Sequence, residues 1–412
     1  MPALIQHAWD VQARIAFFTY YVFGVAQSND SLVSLYKRAI PGSHLTESVD
    51  AASLAFLAYH HRNQALQQFA QAKYLAALRL LNNALQDAEL AVADATLQSV
   101  LLLDLYEKMS NRSACRPESW MAHVNGALAL AELRGEQNFR CHTSRRLSLR
   151  LTVTVNISCH AISMHVPETL VRLYKGLESF SDSSDIKWRL KGLMMSFINF
   201  KADIRQGGFA SEESNLVLGR AWDFEQQFAA MEKTLSVFWK TKTVVAETNS
   251  PLAFRQQYEI YPDHLVTQGA NVLRTMRLLL HGLIHDHTVS PEHESADQTQ
   301  PLAPSRQIIE NTASAICAST PQFVLVGAKA GNTIPFSPLQ TLQCYSMLPH
   351  LYIAGKMSKD KYTRDWVINM VEYLAETAGM EAAKMTAEIL KGATNVSYWN
   401  LYAMLGSYAF AP

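Results

Sequence analysis

The chain has 412 residues, of which 49% are hydrophobic and 17% charged, enough apolar material for a large core. Lys and Arg together equal Asp and Glu in number, and no block of like charge occurs, so the electrostatic footprint of a nucleic-acid or anionic-membrane binder is missing. No run approaches the ~20 apolar residues of a membrane span, and the start, MPALIQHAWDVQARIAFF, lacks the basic residues and unbroken apolar stretch of a secretion signal.

Helical spacing dominates in chain order. A helix is predicted over 46–60, with Thr46 as its cap. Over 64–85, Ala65, Leu66, Phe69, Ala72, Ala76, Leu80 and Ala84 fall on one stripe, as an amphipathic helix requires. Asp94 is placed to cap a helix over 94–109. A helix over 118–133 carries Trp120, His123 and Gly126, the glycine allowing another helix to come close, and Gly135 stops it. LTVTVNIS (151–158) alternates as a strand does, but a lone strand in a helical chain has no hairpin partner, so we read it as helix. SFSDSSD (179–185) reads as a connector. Helices follow over 186–205, 216–242, 263–284, 305–318, 338–355 and 360–378, with stops at Gly207-Gly208 and Gly379. The polar, Pro-containing 286–306 reads as a mobile loop, and FVLVGAKAG (323–331) as a loop. The expectation is an all-α helical bundle or array: one domain over 1–412, or two packed lobes, 1–180 and 181–412.

Chemistry-bearing residues are few. Cys115, Cys141, Cys159, Cys317 and Cys344 are odd in number, widely spaced and free of any C-x-x-C pair, so reduced thiols and no zinc site are expected. Asn271, Arg274 and Arg277 share one face of the 263–284 helix. Set among Leu273, Leu278, Leu279 and Leu280, the arginines need carboxylates; Glu107, Glu132 and Asp263 are the candidates. The bland reading is a buried ion-pair network joining two lobes, the sharp one an anion or ligand clamp. Trp120 and His123, one turn apart, read as helix packing or as a pocket wall with His123 as a polar contact, and Glu107 is placed to pair with Arg134. His281, His285, His287 and His293 form the one metal-like cluster, but HGLIH lacks the Glu of H-E-x-x-H. His281 and His285 are read as helix-end residues favoured by the dipole, and no metal is expected. His60, His61 and Asp104 have no evident catalytic partners. There is no G-x-S-x-G elbow, P-loop or Rossmann glycine signature, and no cofactor is expected.

The stretch LQSVLLLDLYEKMSNRSACRPESWMAHVNGALALAELRG (97–135) resembles the regulatory domain of fungal zinc-cluster transcription factors. Other segments fit in order. RIAFFTYYV (14–22) looks like the opening aromatic helix, AASLAFLAYHHRNQALQQFAQAKYLAALRLLNNAL (51–85) like two Ala-rich helices, and YPDHLVTQGANVLRTMRLLL (261–280) like the central helix. ICASTPQF (316–323) and the Trp366 helix with AGMEAAKMTAEIL (378–390) are similar to the closing segments. Such factors normally open with six cysteines on two zinc ions and a basic linker. None precedes the first matching segment, so the expectation is a domain that does not itself read DNA.

Two readings follow from the resemblance. One is a cytoplasmic or nuclear regulatory module that binds a small hydrophobic metabolite or a partner protein, as a homodimer or within other dimers. Its ligand contacts would be Trp120, His123, Asn271, Arg274 and Arg277. The other is a cofactor-independent cyclase, Diels-Alderase-type pericyclase or isomerase of fungal secondary metabolism. It would hold its substrate in an apolar pocket lined by the chain's many aromatics and methionines and polarise one carbonyl with donors from His123, Tyr258, Arg274 or Arg277.

Overall fold

Alanine and leucine at helical spacing, rather than any strand pairing, build this protein. A computed structural model describes residues 3–25, 30–61, 63–110, 120–182, 185–207, 214–239, 241–246, 249–288, 302–392 and 395–405. The chain divides into two units, one of residues 1–202 with 402–412 and one of residues 203–401.

The first unit contains α1 (Ala3–Ala16), which runs on as a π-helix over Phe17–Val25, then α2 (Asp30–Arg38), α3 (His44–His61), α4 (Gln64–Leu85), the short α5 (Ala88–Ala91), α6 (Asp94–Ser110), α7 (Trp120–Arg134), α8 (His142–Ile162) and α9 (Glu168–Glu178). α10 (Ile186–Arg205) closes it. The alternating stretch 151–158 is helical, inside α8. α3 is buried almost all round, from Leu45 to Ala58, because α1, α4 and α6 all pack on it; a helix apolar on every face belongs at a centre. Phe17 stacks on Tyr21 at 5.1 Å and meets Phe56 of α3 edge-on at 5.9 Å. Asn63 caps α4, accepting from the N–H groups of Ala65 and Leu66 at 3.0 and 3.2 Å.

Two expected caps fall elsewhere. α3 starts earlier, so Ser43 Oγ accepts the Thr46 N–H at 3.4 Å and Thr46 lies inside the helix. Asp94 opens α6, but its carboxylate is drawn away from the backbone by a buried guanidinium. Arg134, at the end of α7, donates Nη2 to Asp94 Oδ1 (2.6 Å), Nη1 to the Val92 carbonyl (2.6 Å) and Nε to Asn138 Oδ1 (3.0 Å). Ser144 Oγ donates to the other Asp94 oxygen at 3.0 Å. Arg134 therefore pairs with Asp94 and not with Glu107. The chain leaves α7 at Gly135 with φ +46°, a conformation in which glycine has no Cβ penalty. Gly126 is exposed, and a Cβ there would meet nothing within 4 Å among the described residues, so no close helix approach is seen among them at this position.

The second unit holds α11 (Ser214–Phe238), a two-stranded hairpin β1 (Lys242–Val245) and β2 (Gln257–Ile260), α12 (His264–Thr288), α13 (Leu302–Ser319), α14 (Pro338–Met357), α15 (Lys361–Thr377) and α16 (Glu381–Lys391); α17 (Tyr398–Leu405) follows. α12 packs against α11, α13 and α14. The hairpin is antiparallel, with Lys242 opposite Ile260 and Val245 opposite Gln257. The helix expected over 216–242 stops at Phe238, and its last expected residue, Lys242, opens β1. Of the stretch read as a loop over 286–306, residues 286–288 continue α12 and 302–306 open α13; 289–301 lie outside the described residues. A capping box of Ser337 and Gln340 starts α14. Among the described residues no helix is long and apolar enough to cross a membrane.

Replacing Arg134 with Met strands the Asp94 carboxylate and two acceptors in a site where the arginine side chain is fully covered. The expected loss is about 3 kcal/mol, read from the urea-unfolding midpoint. Asp94→Asn, which keeps an acceptor for the guanidinium, loses less.

Candidate functional site

The arginines singled out in the sequence do come together, on α12, and are met by carboxylates from α11. Arg274 Nε donates to Glu232 Oε1 at 3.0 Å, Nη1 to Asn271 Oδ1 at 3.2 Å and to the Ala315 carbonyl of α13 at 3.1 Å, and Nη2 to Glu259 Oε2 of β2 at 3.5 Å. Arg277 grips Glu225 with Nε, at 3.2 Å, and Nη2, and reaches Glu232 with Nη1. Asn271 is itself fixed, its Nδ2 donating to Ser319 Oγ at 2.8 Å. Glu232 thus bridges both arginines. The residues all lie in the second unit, and the expected partners are engaged elsewhere: Glu107 accepts the Tyr74 hydroxyl, Glu132 pairs with Arg172 at 2.9 Å, and Asp263 caps α12 through the Val266 N–H at 2.8 Å.

His281 continues the same face. It is fully buried in the body of α12, not at its end, because the helix runs on to Thr288. Its Nδ1 lies 2.9 Å from Ser305 Oγ and its Nε2 3.2 Å from Glu225 Oε2. Burial works to raise the Glu225 carboxyl, but hydrogen bonds from His281 and Arg277 outweigh it and hold it below the ordinary range. Arg274 is pushed above its ordinary value: burial opposes its charge, and Tyr261, Glu232 and Glu259 more than restore it. Each guanidinium nitrogen of Arg274 and Arg277 is answered by an acceptor from the chain itself, the arrangement a buried ion-pair network needs.

The remaining sequence candidates disperse. Tyr258 lies on β2, half-buried opposite Val244. The neighbour that reaches the network is Tyr261, whose hydroxyl donates to Glu259 at 2.6 Å. Trp120 and His123 occupy the first turn of α7 by backbone, and their side chains lie outside the described residues, as do Cys115 and His293. Asp104 is held by Lys108 at 2.6 Å, and burial pushes His60 down to about 4. Among the described residues no three His, Cys, Asp or Glu side chains gather as a metal would need. Of the described cysteines, Cys141 alone is exposed.

The carboxylate partners were legible in part. Glu225 and Glu232 stand seven residues apart and so share one face of α11, matching Arg274, Arg277 and His281 at spacings of three and seven on α12. That complementarity is visible only once the two helices are known to pack.

A groove that the sequence did not suggest runs between α4 and α6 in the first unit, with a volume of about 620 Å³. Gln64, Gln67, Gln68 and Gln71 form one wall, spaced as a single helical stripe and all exposed. Tyr74 and Tyr106 stack at 4.3 Å and 16° beneath it, with Glu107 and Ser110 at its end. Burial and then Glu107 push the Tyr74 hydroxyl above its ordinary value, so it stays a donor at neutral pH.

The fold and these features define an all-α array with an amide-lined groove, a buried ion-pair network and no recognisable catalytic constellation among the described residues. The profile of the fungal specific transcription factor domain family matches residues 17–248, more than half of the chain, and the chain belongs to that family. It is thus a transcription-factor-type regulatory domain protein. No curated protein and no solved structure matches it.

Removing Glu232 leaves Arg274, almost wholly buried, with a single longer contact to a carboxylate. Glu232→Ala is expected to lose about 3 kcal/mol in urea unfolding, and adding Arg274→Met to recover part of it. Acid acts in two windows. Burial first holds His264 down to about 4 and His350 down to about 3, below the ordinary 6.5. The unfolded chain therefore takes up protons first, and stability is whole above pH 6.5 and falls below it, by about 2 kcal/mol per histidine at pH 5. Glu225, depressed below its ordinary 4.5, adds loss only beneath that value. Melting temperature against pH should show the first decline in wild type and a shallower one in His264→Gln.

Proposed function

We propose that this chain regulates transcription by holding a segment of a partner protein in the α4–α6 groove. The observation that carries the reading is the stripe of Gln64, Gln67, Gln68 and Gln71 over a stacked tyrosine pair, inside the family-matched region. A glutamine amide both donates and accepts, so four in a row at helical spacing suit the alternating N–H and C=O groups of a peptide. The tyrosine edges supply apolar area with a fixed hydroxyl. Of the two ligands expected from the sequence, a groove lined this way favours the partner protein over the small hydrophobic metabolite. The enzyme reading draws no support from Arg274 and Arg277, whose donors are taken by glutamates. The setting we propose is the nucleus or cytoplasm of a fungus and the control of secondary metabolism.

The test is a deletion strain complemented with wild type or with Gln67→Arg/Gln71→Arg, both exposed positions that leave the core untouched. Transcripts of a biosynthetic gene set should fall together in the deletion, return with wild type and stay low with the variant. A photo-crosslinker at Gln68 should capture a protein from wild type alone. Normal transcripts together with loss of one product and build-up of its uncyclised precursor would replace this reading with an enzyme.

A further inference from the structure

A second hollow, in the second unit, is used by nothing described above. It opens between the Phe254–Gln256 turn with the start of β2 and the outer face of α13, and measures about 380 Å³. One wall is strained. Arg255 and Gln256 have φ of 52° and 62°, a left-handed conformation that costs an ordinary L-residue roughly 1–2 kcal/mol, and neither is the glycine or asparagine that tolerates it. The surroundings over-determine the turn. Phe254 is buried against Trp366 at 5.2 Å, the Arg255 N–H donates to the Tyr362 hydroxyl at 3.2 Å, and the Gln256 side chain accepts the Ser250 N–H at 3.1 Å. Strain of this kind, held in place from several sides, points to function. Here the strained turn brings Arg255 into the lining of the hollow.

The residues that line the hollow carry both signs of charge. Arg255 donates Nη2 to Asp360 at 2.8 Å, an ion pair with both partners substantially exposed and so of small worth. Opposite, Glu310 of α13 accepts the Ser358 hydroxyl and the Lys359 N–H, and a carboxylate has about four acceptor positions. Gln307 Nε2 donates to Asn311 Oδ1 at 2.9 Å, which turns the Asn311 Nδ2 toward donation. Small side chains, Ala315 and Ala318, form the floor, and the Ala315 carbonyl is braced from behind by Arg274.

We infer that this hollow binds a small zwitterion of the free amino-acid class. Its carboxylate would lie on Arg255 and Asn311, its ammonium on Glu310, and its side chain over the alanine floor. A ligand of one sign alone meets a like charge on one side, since a guanidinium and a carboxylate line the same small space; a zwitterion answers both. The site lies outside the family-matched segment and does not depend on the α4–α6 groove.

The experiment titrates the full chain calorimetrically with each of the twenty free amino acids, and with the decarboxylated amine and deaminated acid of any that bind. At least one amino acid should bind with Kd on the order of 1 mM or tighter, and both of its analogues about tenfold more weakly. Arg255→Gln should weaken it about tenfold or more. Asn311→Leu, at an exposed helix position, should do the same, and carries the test should Arg255→Gln disturb the strained turn. The inference is overturned if no amino acid binds, if an analogue binds as well as its parent, or if the folded variants bind unchanged.

Discussion

Each unit has to keep a guanidinium charged where water does not reach, and much of the helix arrangement follows from how that is done. Moving an ion of this size out of water costs several kcal/mol even after relaxation, and an arginine does not escape by losing its proton. Arg134 and Arg274 meet the problem with the same three kinds of acceptor. Each has an asparagine one turn away on its own chain, Asn138 or Asn271; each takes a backbone carbonyl from another element, Val92 or Ala315; and each takes a carboxylate, Asp94 or Glu232. A planar fork answered from three directions accepts little sliding or rotation of the helices that supply the acceptors. Apolar packing makes the bundles stable, and these arginines fix which turn faces which.

That solution has a functional consequence. An electrophile useful in catalysis must have donors left over for the reacting atom. Glu232 takes one donor from each of Arg274 and Arg277, and Glu225 takes two more from Arg277. The charges that looked most like chemistry in the sequence are therefore spent on architecture. Among the described residues, the surfaces we propose for recognition are amide-rich: the glutamine wall of α4 and the mixed-charge hollow beside α13. Side chains such as these select by hydrogen-bond pattern and not by reactivity, in keeping with a regulatory domain.

Much of the fold was legible because local signals agreed. The stripe over 64–85 coincides with α4, and the stretch 186–205 with α10; apolar spacing marked the first, and the Gly207-Gly208 stop agreed with the end of the second. The alternation at 151–158 misled less than it could have, since β-branched residues are tolerated in a long helix packed on four others. The hairpin was not legible. Its strands have four residues each, and its connection lacks the Asn-Gly or Asp-Gly signal of a tight turn. It instead places Arg255 and Gln256 in a conformation that their identities do not announce. Partners of the arginines were missed for another reason. Sequence gives the face of one helix but not the neighbour it meets, and Glu225 lies 52 residues before Arg277, and Glu232 42 and 45 residues before Arg274 and Arg277.

The family match ends at residue 248, between β1 and β2, yet the physical domain cannot end there. α11 lies inside the matched segment, and it buries Glu225 to 4% exposure. The groups that make this burial tolerable, Arg277 and His281, belong to α12, beyond the match. Phe228 and Leu235, also on α11, are covered almost completely, and the element against which α11 chiefly packs is again α12. A chain cut at 248 would expose that apolar face and leave two carboxylates without their cations, each change being unfavourable by itself. β1 would likewise lose β2, with which it forms its whole sheet. The conserved pattern that defines the family and the unit that folds are thus different objects. The first stops where sequence similarity fades, and the second runs on until the charges of α11 have been answered.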